Sequence, residues 1–335
     1  MGIEPVSPRK LWTLILGTLG IFVATIAIVP LIGAVHINYT NAWNRVSPDY
    51  EILFRARLPR VLLSALVGGT LATAGVLFQA LLRDSLATPY TLGVSSGASL
   101  GAVIAIVFGV RVFAGFGGIW AAAFVGAAIT LFLVMSVASQ GRRMSSFTLL
   151  LSGVTINSVA MALILFFHSL ASFSESFAIT RWLMGGIEPV PYSTLVWLTV
   201  ATVPVIFWLF WRARDWNLLA IGEEWAEVRG VSTGRLMTTG FIGGSFLAAS
   251  VTSFAGPVGF VGLIVPHALR MTFGADHRML VPTSFFLGGA FLAICDTIAR
   301  TALSPAEIPV GVVTALVGGP FFIWMLRSKR RSLWI

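Results

Sequence analysis

Ten stretches of this chain are each apolar for about the length needed to cross a hydrocarbon layer, and that leaves few folds open. They run at about 11–35, 61–82, 93–109, 118–138, 147–171, 191–211, 236–255, 257–273, 279–298 and 309–327. A spanning helix uses roughly 20 apolar residues. The 335 residues are 57% hydrophobic and 10% charged, where a soluble domain carries about 25% charge to cover its core. Ten spans therefore use nearly all the apolar residues and leave almost nothing for a separate soluble domain. The fold reads as an all-α polytopic membrane protein with one transmembrane domain over 1–335. A soluble enzyme, a nucleic-acid-binding domain and a disulfide scaffold are excluded. The single cysteine, Cys295, lies in an apolar run, so it can form no internal disulfide and no multi-cysteine metal site. The first run is too long for a signal core and lacks a small-residue cleavage site, so it reads as a span.

Charge orients the spans. Arg9, Lys10, Arg327 and Lys329 flank the two ends, and Arg212, Arg214, Arg229 and Arg235 sit in one interior loop. An even span number with positive loops inside puts both termini in the cytoplasm. The net charge of +9 is then membrane anchoring rather than nucleic-acid binding. Arg45, Arg55, Arg57 and Arg60 break the pattern, clustering outside just before the second span. Trp12, Trp120, Trp197, Trp208, Trp211 and Trp324 fall near span ends, where an amphipathic indole suits the headgroup layer.

Glycine, at 34 residues, recurs at helix-contact spacing. Gly97-xxx-Gly101 and Gly240-xxx-Gly244 allow close helix approach where lipid offers no hydrophobic drive. The stretches 88–101 and 256–266 are broken by Pro and Gly, which membrane depth tolerates only where the backbone is buried or faces a wet cavity. The spans preceding them run in opposite directions, which suggests an inverted repeat around a central pathway.

Catalytic signals do not hold up. Gly93-Val94-Ser95-Ser96-Gly97 matches a nucleophile elbow in letters, but it opens an apolar small-residue run with no strand before it. The four histidines are scattered and no Walker A loop surrounds Lys10 or Lys329, so ATP would have to be hydrolysed by another chain. No cofactor or metal is expected. Asp296 is the clearest intramembrane acid, with Arg300 one turn on, and the plain reading is a pair within the helix. So few buried acids argue against an ion-coupled secondary transporter. The segment 218–235 is the most polar interior stretch, with Glu223, Glu224, Glu227, Arg229 and Arg235 beside Trp225 and Val231. It reads as a short amphipathic helix, then Gly230, then a second short helix on the cytoplasmic surface, where anionic lipid would repel its acids.

With these residues in view, the chain resembles the FecCD-family permease subunits of type II ABC importers for iron–siderophore complexes, haem and cobalamin. The resemblance runs over roughly 55–327. It is carried by Arg57-Leu58-Pro59-Arg60, Gly75 with Gln79, Leu92 through Ala98, Trp182 through Gly186, Gly259 through His267 with Arg270, and Asp276-His277-Arg278. Asp296 with Arg300, Glu307 through Gly311, and Gly319-Pro320 complete it. It implies ten spans, a homodimer with the path on its two-fold axis, two ATPase subunits inside, a binding protein outside and a metal chelate as substrate in the bacterial inner membrane. It implies that Arg57, Arg60 and Arg300 face outward to meet carboxylates of the binding protein, which would explain the misplaced arginines. It makes 218–235 the coupling helices, with Glu223, Glu224, Ala226, Gly230 and Val231 meeting the ATPase. One departure stands out: the family's N-P-L-A-x-P after the second span is replaced by Arg83-Asp84-Ser85-Leu86-Ala87-Thr88-Pro89. Losing Pro should loosen this turn. The family's inner gate lies nearby, so the expected gate residues are Asp84, Leu86, Ser145 and Ser146.

Overall fold

The computed structural model describes residues 7–110, 112–113, 116–140, 143–144 and 146–330. Fourteen α-helices lie within them: α1 (Pro8–Ile28), α2 (Tyr39–Trp43), α3 (Leu58–Leu82), α4 (Val94–Val107), α5 (Gly118–Ala138), α6 (Ser146–Leu170), α7 (Phe173–Leu183), α8 (Tyr192–Trp211), α9 (Ala213–Ile221), α10 (Glu223–Val228), α11 (Thr233–Ala255), α12 (Val261–Phe273), α13 (His277–Thr301) and α14 (Val310–Arg330). Two ladders of two-residue strands close the turns on either side of α5. Seven helices are long and apolar enough to cross a membrane, and three shorter apolar ones, α4, α12 and the Val310–Trp324 part of α14, bring the set to the expected ten. The two broken stretches account for α4 and α12, whose 14 and 13 residues span only about 20 Å at 1.5 Å per residue.

Helix α3 is the axis of the body. The most apolar stretch of the span containing it is 94% buried, whereas in the corresponding stretches of the α1, α5, α6 and α8 spans fewer than a third of the residues are buried. It is apolar on every side, so it presents no face suited to water. Its small residues let neighbours reach its backbone. A Cβ on Gly75 would collide with the Gly262 carbonyl of α12, and one on Gly68 with the Gly288 carbonyl of α13. The glycine pairs seen in the sequence work the same way. Gly97 and Gly101 on α4 lie against Gly126 and Ala122 on α5, and Gly240 and Gly244 on α11 receive Trp216 and Phe78.

The two broken stretches meet. Tyr90, in the 3₁₀ turn Pro89–Leu92, donates its hydroxyl to the Val258 carbonyl at 2.6 Å and accepts from the Val258 N–H at 3.1 Å. Backbone freed by Gly256, Pro257 and Gly259 is thus satisfied by protein, as membrane depth demands. Not all the tryptophans are mere anchors: Trp12, Trp197, Trp211 and Trp324 are exposed, but Trp120 packs at a tilt against Phe254 with ring centres 4.8 Å apart and Trp208 meets Trp216 edge-on at 6.1 Å.

Backbone contact at α3 sets a testable contrast. Gly75→Val should force α3 and α12 apart and cost about 1–3 kcal/mol or more. Gly17→Val on α1, with nothing within 4 Å of its Cβ position, should stay within about 1 kcal/mol. Thermal unfolding of the two purified variants in detergent measures both.

Candidate functional site

The helices place polar chemistry at the two ends of the body. One end holds the start of α3 and the end of α13. Here Arg60 grips Asp296 with two nitrogens, Nε at 3.1 Å and Nη2 at 3.0 Å, and reaches Glu307 with Nη1 at 3.0 Å. Asp296 is buried and Glu307 half-exposed. Arg300 stands 4.0 Å from Asp296, so the expected intrahelical pair is the weaker contact and the main partner comes from α3. Arg300 instead donates to the Val29 carbonyl at 3.2 Å and to Thr297 at 3.3 Å.

Arg57 and Arg60 do not share a face. A π-helical turn, Glu51–Arg57, precedes α3 and swings Arg57 toward the link after α1. There Arg57 donates to the carbonyls of Val35 and Leu31. Gly33 makes room, since a Cβ on it would strike the guanidinium. All three arginines converge on this end, with Arg57 and Arg300 both bonded to the 29–35 segment. Each is already bonded to an acceptor of its own chain.

The opposite end holds the loop after α3, the pair α9–α10 and the start of α13. The two short helices here flank Gly222, while Gly230, at φ +82°, closes α10 and leads into the long α11. The expected break at Gly230 is therefore a helix terminus, a left-handed position suited to glycine. Ala226 is fully buried and Val231 nearly so, whereas Trp225 and Val228 are 65% and 85% exposed. Glu223 pairs with Arg83 at 2.5 Å, and Glu227 accepts from Thr233 at 2.6 Å. Arg83 itself takes a left-handed conformation at the end of α3.

In the turn after α3, Asp84 accepts from the Leu86 N–H at 2.9 Å. The side chain thus supplies by hydrogen bond some of the order that Pro would give. Leu86 is exposed. Ser146 begins α6, and Ser145 lies outside the described residues. Ser95 opens α4 behind left-handed Gly93 and a 3₁₀ turn, a setting without the strand a nucleophile elbow requires.

Sequence reasoning missed the polar joint between α9 and α13. Asn217 donates to Asp276 at 2.9 Å and accepts from the His277 N–H at 2.8 Å, and its oxygen lies 2.7 Å from His277 Nδ1. Burial disfavours the Asp276 carboxylate, but hydrogen bonds from Arg278 and Asn217 outweigh it and hold its pKa below the usual range. The residue before Asn217, Trp216, is fully buried. Both stand just ahead of the polar stretch at 218–235, and no pattern in the letters marked either.

An all-helical body with a central glycine-lined helix, broken half-length spans and an exposed short helix at one end defines a transporter permease. The chain belongs to the FecCD transport family, whose model matches residues 21–328. It is 33% identical to the hemin transport system permease protein HmuU of Yersinia pestis, covering 98% of both chains. It is 38% identical to the vitamin B12 import system permease protein BtuC of Klebsiella pneumoniae, covering 84% of each. A solved inward-facing structure assigned to the metal-chelate type of ABC transporter superposes with a TM-score of 0.81 at 29% identity, covering 95% of this chain and 99% of that one. The protein is thus a multi-pass membrane permease subunit of an ABC importer.

The cluster around Arg60 separates two kinds of ion pair. Asp296→Ala would leave Arg60 partly desolvated beside a single half-exposed acid, and should cost about 3–5 kcal/mol. Glu307→Ala, at the exposed end of the same arginine, should cost under about 1 kcal/mol. Melting curves of the two variants decide whether burial sets the difference; equal losses would refute it.

Proposed function

We propose that this chain is one of two identical permease subunits that carry a metal chelate, such as an iron–siderophore, haem or cobalamin, across the bacterial inner membrane. Two separate ATPase subunits supply the energy and an outer binding protein delivers the substrate. Both termini lie in the cytoplasm. The observation that carries this reading is the exposed face of α10. Trp225 and Val228 stand open beside Glu224 on a helix anchored through buried Ala226. Apolar side chains held rigidly in that way mark a partner surface. Glu223, Glu224, Ala226, Gly230 and Val231 form and position that surface. Asp84, Leu86, Ser145 and Ser146 are proposed to gate the path on the same side.

The binding protein is proposed to seat over the other end, where Arg57, Arg60 and Arg300 converge. The exchangeable contact there is Arg60 with half-exposed Glu307, which a partner's carboxylate could replace. Relatives named for hemin and vitamin B12 transport support the chelate class.

Glu224→Lys with Trp225→Ala should abolish copurification of the ATPase while the permease keeps its melting temperature and its dimer. Retained copurification and retained ATPase response to the binding protein would overturn the coupling assignment. Association with the binding protein in nanodiscs should weaken as salt rises. An association that ignores salt would remove the arginine cluster from docking.

A further inference from the structure

Helix α13 reaches from one polar end of the body to the other. Its 25 residues extend about 37 Å at 1.5 Å per residue. At its outer end Asp296 is held by Arg60 of α3. At its inner end the N–H of its first residue, His277, is accepted by Asn217 of α9, while Asp276 caps the helix through the Arg278 N–H at 3.0 Å. The first N–H groups of a helix have no partner within it, so α9 supplies part of the N-terminal cap of α13 from another element. Asn217 uses both ends of its amide in doing so, on residues that are themselves 1% and 3% exposed.

The proposed coupling helix is joined to this end of α13 through α9. Gly222 ties α10 to α9, donating its N–H to Leu218 and accepting from Ala226. Trp216 seats α9 in the core beside it. Two further polar ties leave α10: Glu227 accepts from Thr233 at the start of α11 at 2.6 Å, and Arg83 with Glu223 is more than a third exposed on both sides, where a pair constrains little. A displacement of α10 and α9 thus either draws the start of α13 along or breaks hydrogen bonds among buried groups, which is costly.

Resting on the importer reading above, we propose that Asn217 is the positioning residue through which movement of the ATPase-facing helices α9 and α10 is transmitted to α13, and so to the outer charge cluster. Asn217 faces α13 and not the ATPase, so its loss should leave the assembly intact and weaken communication.

The test uses the complete transporter in nanodiscs and reads the ratio of ATPase activity with binding protein to that without. Asn217→Ala should keep both ATPase subunits bound yet reduce that ratio roughly two- to thirty-fold, the span expected for residues along a coupling path. Asn217→Asp sets a second carboxylate against Asp276 and should do the same. Combining Asn217→Asp with Asp276→Asn reverses the donor and acceptor across the joint and should restore the ratio, which a merely folded variant need not do. This swap also carries the test if Asn217→Ala fails to assemble. A wild-type ratio in both single variants, or a folded swap that stays uncoupled, overturns the proposal. A wild-type complex whose ATPase ignores the binding protein would instead refute the importer reading itself.

Discussion

Everything in this body depends on how closely helix backbones can approach α3. Lipid tails are as apolar as leucine, so burying leucine between helices gains little over leaving it in the bilayer. What remains is van der Waals contact at short range, and α3 provides it by omitting side chains at Gly68, Gly69 and Gly75. Carbonyls of α12 and α13 occupy the space a Cβ would need. Once α12 and α13 are fixed against α3, the broken segments before α4 and α12 lie against each other, and Tyr90 closes the contact between them.

The same closeness explains the charges at the start of α3. Because α13 lies tight on α3, Asp296 is carried into contact with Arg60 at a depth where neither could remain alone. Such a pair adds little net stability over an apolar substitute, but losing one member is severe. Its effect is to fix register between the two helices. Glu307, reached by the same guanidinium, extends that fixed point to the surface. The opposite end of α13 is fixed by an uncharged amide, Asn217, which binds without the desolvation cost of a second ion. One helix is thus pinned near both of its ends by different chemistry.

Apolar run lengths are a local property, and ten of them were legible in the sequence; the run at 118–138 coincides with α5, whereas the first, 11–35, overruns α1, which ends at Ile28. Glycine spacing was equally legible, since a missing side chain is written in the letters. Pairing of charges was not. Arg57 and Arg60 stand three apart, as on one helix face, yet the π-helical turn before Leu58 sends them to different partners. Asp296 with Arg300 looked like a pair at i,i+4, but Arg60, 236 positions away along the chain, takes the carboxylate. In the polar segment the break falls at Gly222, between α9 and α10, while Gly230 follows the end of α10.

The sequence by itself determined that this chain is helical, multi-pass and built for close helix contact, because hydrophobic length and residue size act through the solvent and need no partner. Its ordered landmarks also carried the family. Only the tertiary structure decided which buried charge meets which, that Ala226 faces inward while Trp225 faces out, and that Asn217 caps a helix 60 residues further on. Those outcomes depend on rotation and depth of helices relative to one another. A hydrogen bond is made or lost over an ångström, a distance that no local pattern of letters specifies.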